Sequence, residues 1–326
     1  MEVAVSRQRV TAADVARSVG LSRTTVGFVL NNTPGQTIPE RTRTRVLAEA
    51  QRLGYRPNPA AQALRRGSTR LVMLVVPDWP ADPVWNEFVD DLSFELDQAG
   101  YSLVTYARRS EERARPLWET LRPDVIIGVG EFDADELNSA LASGVRKVIT
   151  QGVAASPIVS TGAGLQVRHL YVRGHRRLGY ALPRDERMAD MAAARLAVAQ
   201  TVAAELGVEP LDVQVVDHRS ETAAHAVQRW HEVGVTGVAA FNDFTAAALV
   251  GAAMRGGIGV PAPLAIIGHD DTDLARLFVP SLSSVRIDLA GLARYSASVA
   301  LYAAGHPTPE PSGVTPSFEV IGRETT

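Results

Sequence analysis

Apolar residues recur at two different spacings along the chain, and the change falls near residue 70. Before it they lie three and four apart, the spacing of helices that bury one face. Val15, Ala16 and Val19 make one stripe. Val26, Val29 and Leu30 make a second, and Val46, Leu47, Ala50 and Leu53 a third. Punctuation agrees with these stripes. Thr11 is placed to cap the first helix, with Asp14 three residues on as a weak capping box, and Gly20 to end it in a left-handed turn. Ser22 caps the second. The stretch NNTPGQTIPE (31–40) reads as a loop, residues 40–53 as the third helix, and Gly54 as its end. A last segment, Tyr55–Arg66, has Asn58 as a cap, Pro59 at a first helical position and helix-favouring residues after it. It is too short to be stable alone, which predicts a segment that folds against a partner.

From Arg70 onward, apolar runs of strand length alternate with amphipathic helices. Buried parallel strands are predicted at 71–77, 101–106, 124–130 and 146–152, then at 176–183, 212–217, 235–241 and 264–271. Helices are predicted at 84–99 and 133–143, then near 163–173, 189–207, 220–232 and 242–256. This alternation predicts two doubly wound α/β lobes behind an all-α head.

Charge sharpens the division. Eleven arginines face four carboxylates in residues 1–67, a net +7, which leaves −10 for the rest of a 326-residue chain whose total is −3. A basic head on an acidic body is expected where only the head meets phosphates. There is no cysteine, hence no disulfide, thiolate metal site or cysteine nucleophile. The seven histidines lack metal-ligand spacing, and neither a P-loop, a GxSxG nor a dinucleotide fingerprint is present. Asp270-Asp271 is a paired-carboxylate candidate with nothing around it to complete a catalytic constellation. No apolar run is long enough to cross a bilayer, and no leader-like apolar segment opens the chain. The expectation is a cytoplasmic protein that is not an enzyme, holds no metal and needs no cofactor.

In the second helix, Arg23, Thr24 and Phe28 fall outside the apolar stripe. A short helix presenting Arg and Thr from its first turn suits the major groove of DNA. Here the chain resembles the DNA-binding head of the LacI–GalR family of bacterial transcription regulators. The resemblance rests on VTAADVARSVGLSRTTVGFVLN (10–31), the LGY that ends the third helix (53–55) and PNPAAQALR (57–65). It implies a recognition helix at 22–30 and DNA contacts from Thr11, Ser22, Arg23, Thr24, Thr25, Phe28 and Asn31. It also implies a hinge helix with contacts from Asn58, Ala61, Leu64 and Arg65, Leu64 being the wedge that opens a central base step in the minor groove. The chain departs from the family at one telling place. Where the family usually reads TVSRVLN, this chain has Thr25-Val26-Gly27-Phe28-Val29-Leu30-Asn31. Phe28 can touch a thymine methyl but cannot pair with guanine; the alternative is that it packs inward and reads nothing.

The resemblance continues through the body, to a type I periplasmic-binding-protein-like effector domain. It is carried by HLYVRGHRR (169–177), FND (241–243), GVPAPLAIIGHDD (259–271) and PSLSSVRID (280–288). It implies a ligand between the lobes, at the carboxyl ends of the strands. Candidates there are Asp82 and Trp85 after the first strand, Gln151 after the fourth, Arg195 on the helix after the lobe crossover, Asn242 at the end of FND and Asp270 at the end of GHDD. Structural roles compete with ligand contact at several of these: Asn242 as a helix cap, Asp270 as a turn anchor, Trp85 as core. RDERMADMA (184–192) replaces the family's glycine-rich ligand loop, and Ser160-Thr161 stands where an aspartate is common.

The expected domains are a head (1–57), a hinge helix and linker (58–69) and an effector-binding, dimerising body (70–326). Within the body, the first lobe comprises about 70–160 and 288–312, and the second about 161–287 and 313–326. The function these imply is a repressor that binds a pseudo-palindromic operator on double-stranded DNA as a homodimer, under control of a sugar-like or nucleobase-like effector. Without DNA, head and hinge are expected to be disordered, with protease cutting near 55–68. No apolar heptads follow Arg323, so a tetramerising coil is not expected. The competing expectation is a solute-binding or sugar-modifying protein that shares only the body.

Overall fold

The computed structural model describes residues 10–33, 35–80, 82–108, 115–130, 132–150, 157–217, 221–311 and 317–326. They form two compact units, one ending at Thr69 and the other beginning at Arg70.

The first unit contains α1 (Ala12–Val19), α2 (Arg23–Leu30), α3 (Glu40–Leu53) and α4 (Pro59–Arg66). Local chemistry fixes the helix ends. Asp14 N donates to Thr11 Oγ1 at 3.3 Å while Thr11 N donates to Asp14 Oδ2 at 2.9 Å, a complete capping box where only a weak one is expected from the sequence. Ser22 Oγ accepts from Thr25 N at 3.0 Å to start α2. Gly20 and Gly54 end α1 and α3 with φ of 65° and 69°. Val15, Ala16, Val19, Val26, Val29, Val46 and Ala50 are the buried core of the unit. Leu47 does not join them. It is 47% exposed, because the inward line of α3 runs through Val46 and Ala50 and the next residue is turned about 100° away. Arg45 ties α3 back to α1 by donating to the Val19 carbonyl. Helices α1 to α3 enclose a core of their own, and none of the described side chains of α4 joins it.

The second unit opens with β1 (Leu71–Pro77), α5 (Pro83–Gln98), β2 (Ser102–Arg108), α6 (Leu117–Leu121), β3 (Val125–Gly128), α7 (Ala134–Ala142) and β4 (Lys147–Thr150). The four strands form a parallel sheet in the order β2-β1-β3-β4. A second set follows: α8 (Pro157–Val172), β5 (Leu178–Pro183), α9 (Ala189–Glu205), β6 (Asp212–Val216), α10 (Thr222–Glu232), β7 (Gly237–Ala240), α11 (Asp243–Arg255), β8 (Ala265–Ile267), α12 (Asp273–Leu277) and β9 (Ser284–Ile287). Its parallel sheet repeats the order as β6-β5-β7-β8. The chain then returns to the first lobe. Ala293, Ala297 and Ala300 of α13 (Leu289–Ala303) share a core with Leu92 and Leu96 of α5. Finally β10 (Phe318–Ile321) pairs antiparallel with β9.

Several boundaries differ from expectation for physical reasons. Strand β8 stops at Ile267, because Asp270 and Asp271 turn out of the ladder at φ of 98° and 51°. Helix α8 starts at Pro157 rather than near 163; Gly162 and Gly164 interrupt the apolar period without breaking the helix. Arg195 stands on α9, the second helix of its lobe and not the one that follows the crossover.

Candidate functional sites: a nucleic-acid face and a cleft

On the head, the first turn of α2 points two unlike side chains outward. Arg23 and Thr24 are exposed, and neither has a hydrogen-bond partner among the described residues. Ser22 and Thr25 are engaged with each other, their hydroxyls 2.8 Å apart. Thr11 is held by Asp14. Phe28 is half-buried and is not among the residues of the head's core cluster. Asn31 ends α2. Its Nδ2 donates to the Gly27 carbonyl at 2.6 Å, and its Oδ1 accepts from Gln62 of α4 at 3.4 Å. On α4, the Asn58 carbonyl accepts from Gln62 N, Ala61 is exposed, and Leu64 is 87% exposed, an apolar side chain standing in water. Arg65 is the next residue of the same helix.

In the body, the carboxyl ends of both sheets open onto one cavity of about 190 Å³. Both sheets reverse direction next to their first strand, and such switch points are where doubly wound sheets receive ligands. Asp82 caps α5, its Oδ1 accepting from Val84 N at 2.8 Å and from Trp85 N at 3.4 Å. Burial, then the nearby charge of Asp270, pushes its carboxyl up from the ordinary value. Trp85 lines the cavity and also packs against the first-lobe core, edge-on to Trp79 at 5.6 Å and tilted against Phe88 at 5.2 Å.

Across the cavity, Arg195 is buried. Its Nη1 donates to the Phe241 carbonyl at 2.6 Å, its Nη2 donates to Asp270 Oδ1 at 3.2 Å, and its guanidinium lies 4.7 Å from the Phe241 ring. Burial works against ionisation of Asp270, yet Arg195 and His269 outweigh it and hold the carboxyl down at about 2. Burial depresses His269 from its ordinary value, and its Nδ1 donates to Asp270 Oδ1 at 2.5 Å. Gly162 of α8 makes room for that ring: a Cβ there would come within 2.1 Å of His269 Nε2. Asn242 caps α11, its Oδ1 accepting from Thr245 N and Thr245 Oγ1 at 2.9 Å each, while its Nδ2 takes no part in the cap.

Five of the six cleft candidates therefore line one cavity: Asp82, Trp85, Arg195, Asn242 and Asp270. Gln151 lies outside the described residues. Asp271 separates from its neighbour. Its two oxygens are taken by Arg286 and Arg323 and it does not reach the cavity, so Asp270-Asp271 is not a carboxylate pair. Sequence reasoning missed Trp79, Met188, Met191, Tyr295 and Ser296 in the lining. The two methionines lie within the unusual 184–192 stretch, which was a signal; Tyr295 and Ser296 come from α13, whose return to the first lobe leaves no local trace. Among the described residues, no group of histidine and acidic side chains is arranged to hold a metal, and no helix is long and apolar enough to cross a membrane.

A compact helix-turn-helix head and a two-lobed α/β body with a cleft are the architecture of a DNA-binding transcription regulator. Residues 11–58 match the model of bacterial regulatory proteins of the lacI family, and residues 167–326 that of a periplasmic binding protein-like domain. The chain is 31% identical to the HTH-type transcriptional regulator GalR of Escherichia coli K12, over 93% of this chain and 92% of that one. It is 27% identical to the HTH-type transcriptional repressor PurR of Photobacterium profundum, over 84% and 86%. The structure of the Lac repressor dimer bound to operator and the anti-inducer ONPF superposes with a TM-score of 0.77 at 22% identity, covering 98% of this chain and 99% of that one. This chain belongs to the LacI–GalR family of bacterial transcription regulators. It is a regulator of transcription, and the competing expectation of a solute-binding or sugar-modifying protein falls away, since relatives match head and body together.

Proposed function

We propose that the chain is a repressor that binds a two-fold pseudo-palindromic operator as a homodimer, each head reading one half-site, and that a small molecule in the cleft controls it. The observation that carries the DNA half of this reading is the outward, unpartnered pair Arg23 and Thr24 on the first turn of α2, in a head of net charge +7. Arg23 suits a guanine edge and Thr24 a neighbouring base, while Ser22, Thr25, Thr11 and Asn31 fix the helix against the phosphates. Phe28 takes a thymine methyl. Leu64 enters the minor groove at the centre of the site, with Asn58, Ala61 and Arg65 beside it, and the bend spreads the contact over both hinges.

A two-fold site calls for a two-fold protein. Leu277 and Val279 near α12 and Phe94 on α5 are largely exposed apolar side chains available to such an interface. The solved relative quoted above is a dimer on operator with a bound anti-inducer, which supports the same assembly here. A ligand in the cleft touches both lobes, so it can bias their relative angle and hence the hinges. Such coupling is reciprocal: if the ligand weakens operator binding, the operator weakens ligand binding by the same factor. The place of action is the cytoplasm, where the operator is.

Selection of bound duplexes from a random pool with the full chain tests this. The expected product is an inverted repeat with a central CG step. Failure to enrich any repeat, both without additives and with pooled sugars and nucleobases, contradicts it.

A further inference from the structure

The cleft that the family resemblance assigns to a sugar-like or nucleobase-like effector is lined, in this chain, mostly by carbon. Trp79, Trp85 and Phe88 from the first lobe and Met188, Met191 and Phe241 from the second enclose it. A sugar presents a hydroxyl on nearly every carbon, and each one buried without a partner costs free energy. The polar groups that could meet them are few: Asn242 Nδ2, the Tyr295 hydroxyl and Ser296 Oγ are the uncharged ones without a partner among the described residues, and other polar atoms of the lining are already employed. Asn242 Oδ1 is spent on its cap, Asp82 Oδ1 on α5, and Asp270 Oδ1 on Arg195 and His269.

What remains open is specific. Asp82 and Asp270 each keep one oxygen, Oδ2, that has no partner among the described residues. Asp270 is more than nine-tenths buried. Against these two carboxylates stands one cation of the lining, Arg195. The polar end therefore sets two carboxyl groups against one guanidinium, walled by aromatic rings, and carboxylates in such surroundings favour a cationic partner. A cationic head also gains from the faces of Trp79 and Trp85. The cavity of about 190 Å³ is smaller than the pockets of roughly 300–1,000 Å³ that hold drug-sized molecules.

We infer that the cleft takes a compact aromatic molecule bearing a protonated amine, its ring against Trp85 and its ammonium on the Asp82 and Asp270 carboxylates, and not a polyhydroxylated sugar. This rests on the reading of the cleft as the effector site and names the chemical class of that effector.

The test is calorimetric titration of the full chain with phenethylamine, its neutral analogue 2-phenylethanol, D-galactose, D-ribose and hypoxanthine. Phenethylamine is expected to bind saturably and at least about tenfold more tightly than 2-phenylethanol, the worth of one charge-assisted hydrogen bond. Neither sugar nor hypoxanthine is expected to bind at the same concentrations. Asp82→Asn removes the charge and keeps a good helix cap, so the variant stays folded. It is expected to lose about tenfold in phenethylamine affinity, with 2-phenylethanol unchanged. Phenethylamine binding indifferent to Asp82→Asn overturns the inference, because the amine then sits elsewhere. Binding of a sugar or hypoxanthine but not the amine overturns the inference and leaves the cleft as the effector site. No binding by any of the five overturns both, whatever the operator selection shows.

Discussion

Arg195 Nη2 donates to Asp270 Oδ1 across 3.2 Å, with the two side chains only 5% and 8% exposed. The pair joins α9 to the loop after β8 at the mouth of the cleft. Removing one partner of a buried pair strands the other as an uncompensated charge, at a cost of about 3–5 kcal/mol. Arg195→Ala is therefore expected to lower unfolding free energy by that amount in urea. Arg195→Met, Asp270→Leu together should cost much less, since no stranded charge remains. Equal losses in the single and double variants would show that the pair matters through packing alone.

Asp243, at the start of α11, accepts from Ser284 Oγ, Thr272 N and Thr272 Oγ1, yet burial pushes its carboxyl up from 3.8 to about 7. A folded-state value above the unfolded one means that the native chain holds the extra proton between those limits. Its contribution to stability is complete below about pH 4 and is lost as pH rises through about 7, by up to roughly 1.4 kcal/mol per pH unit in that window. Asp243→Asn should remove this component from the profile. An unchanged profile in the variant would assign the pH dependence to other groups.

Gly162 packs its bare Cα face against the His269 ring, and a methyl there would meet Nε2 at 2.1 Å. The ring is buried and tied to Asp270, so it has little room to yield. Gly162→Ala is expected to destabilise the body by about 1–3 kcal/mol despite the better helix propensity of alanine. A stabilised variant, read by thermal melting, would contradict the contact.

Helix α4 has eight residues, and none of its described side chains joins the head core. Limited proteolysis of the free protein should cut within 55–68 and leave α1 to α3 intact, with protection once operator is bound. Resistance of that segment without DNA would count against folding on DNA.

The head was legible in the sequence because its signals are local. Thr11, Asp14, Gly20, Ser22 and Gly54 each act within a few residues, and the structure uses each as the sequence suggests. Strand ends were less legible. Apolar runs continue past the point where a ladder stops, and nothing short-range shows that Asp270 and Asp271 take positive φ after β8. In the cleft, residues at strand ends could be picked out, because the ends of parallel strands converge. Tyr295 and Ser296 could not, since α13 reaches the cavity only through a return between lobes that follows β9. Leu47 was misplaced by its spacing, which puts it beside the apolar stripe and not on it.

The central claim is that Arg23 and Thr24 read bases while the rest of the head holds phosphates. Fluorescence anisotropy with the selected operator and a scrambled duplex, at one salt concentration, tests it most directly. Arg23→Ala is expected to weaken operator binding by about 1–3 kcal/mol more than scrambled binding and to relax preference at one base pair of each half-site. Phe28→Arg should shift preference at its own position from thymine toward guanine. Equal loss on both duplexes for Arg23→Ala, with base preferences intact, would show that α2 meets only the backbone and would contradict the account.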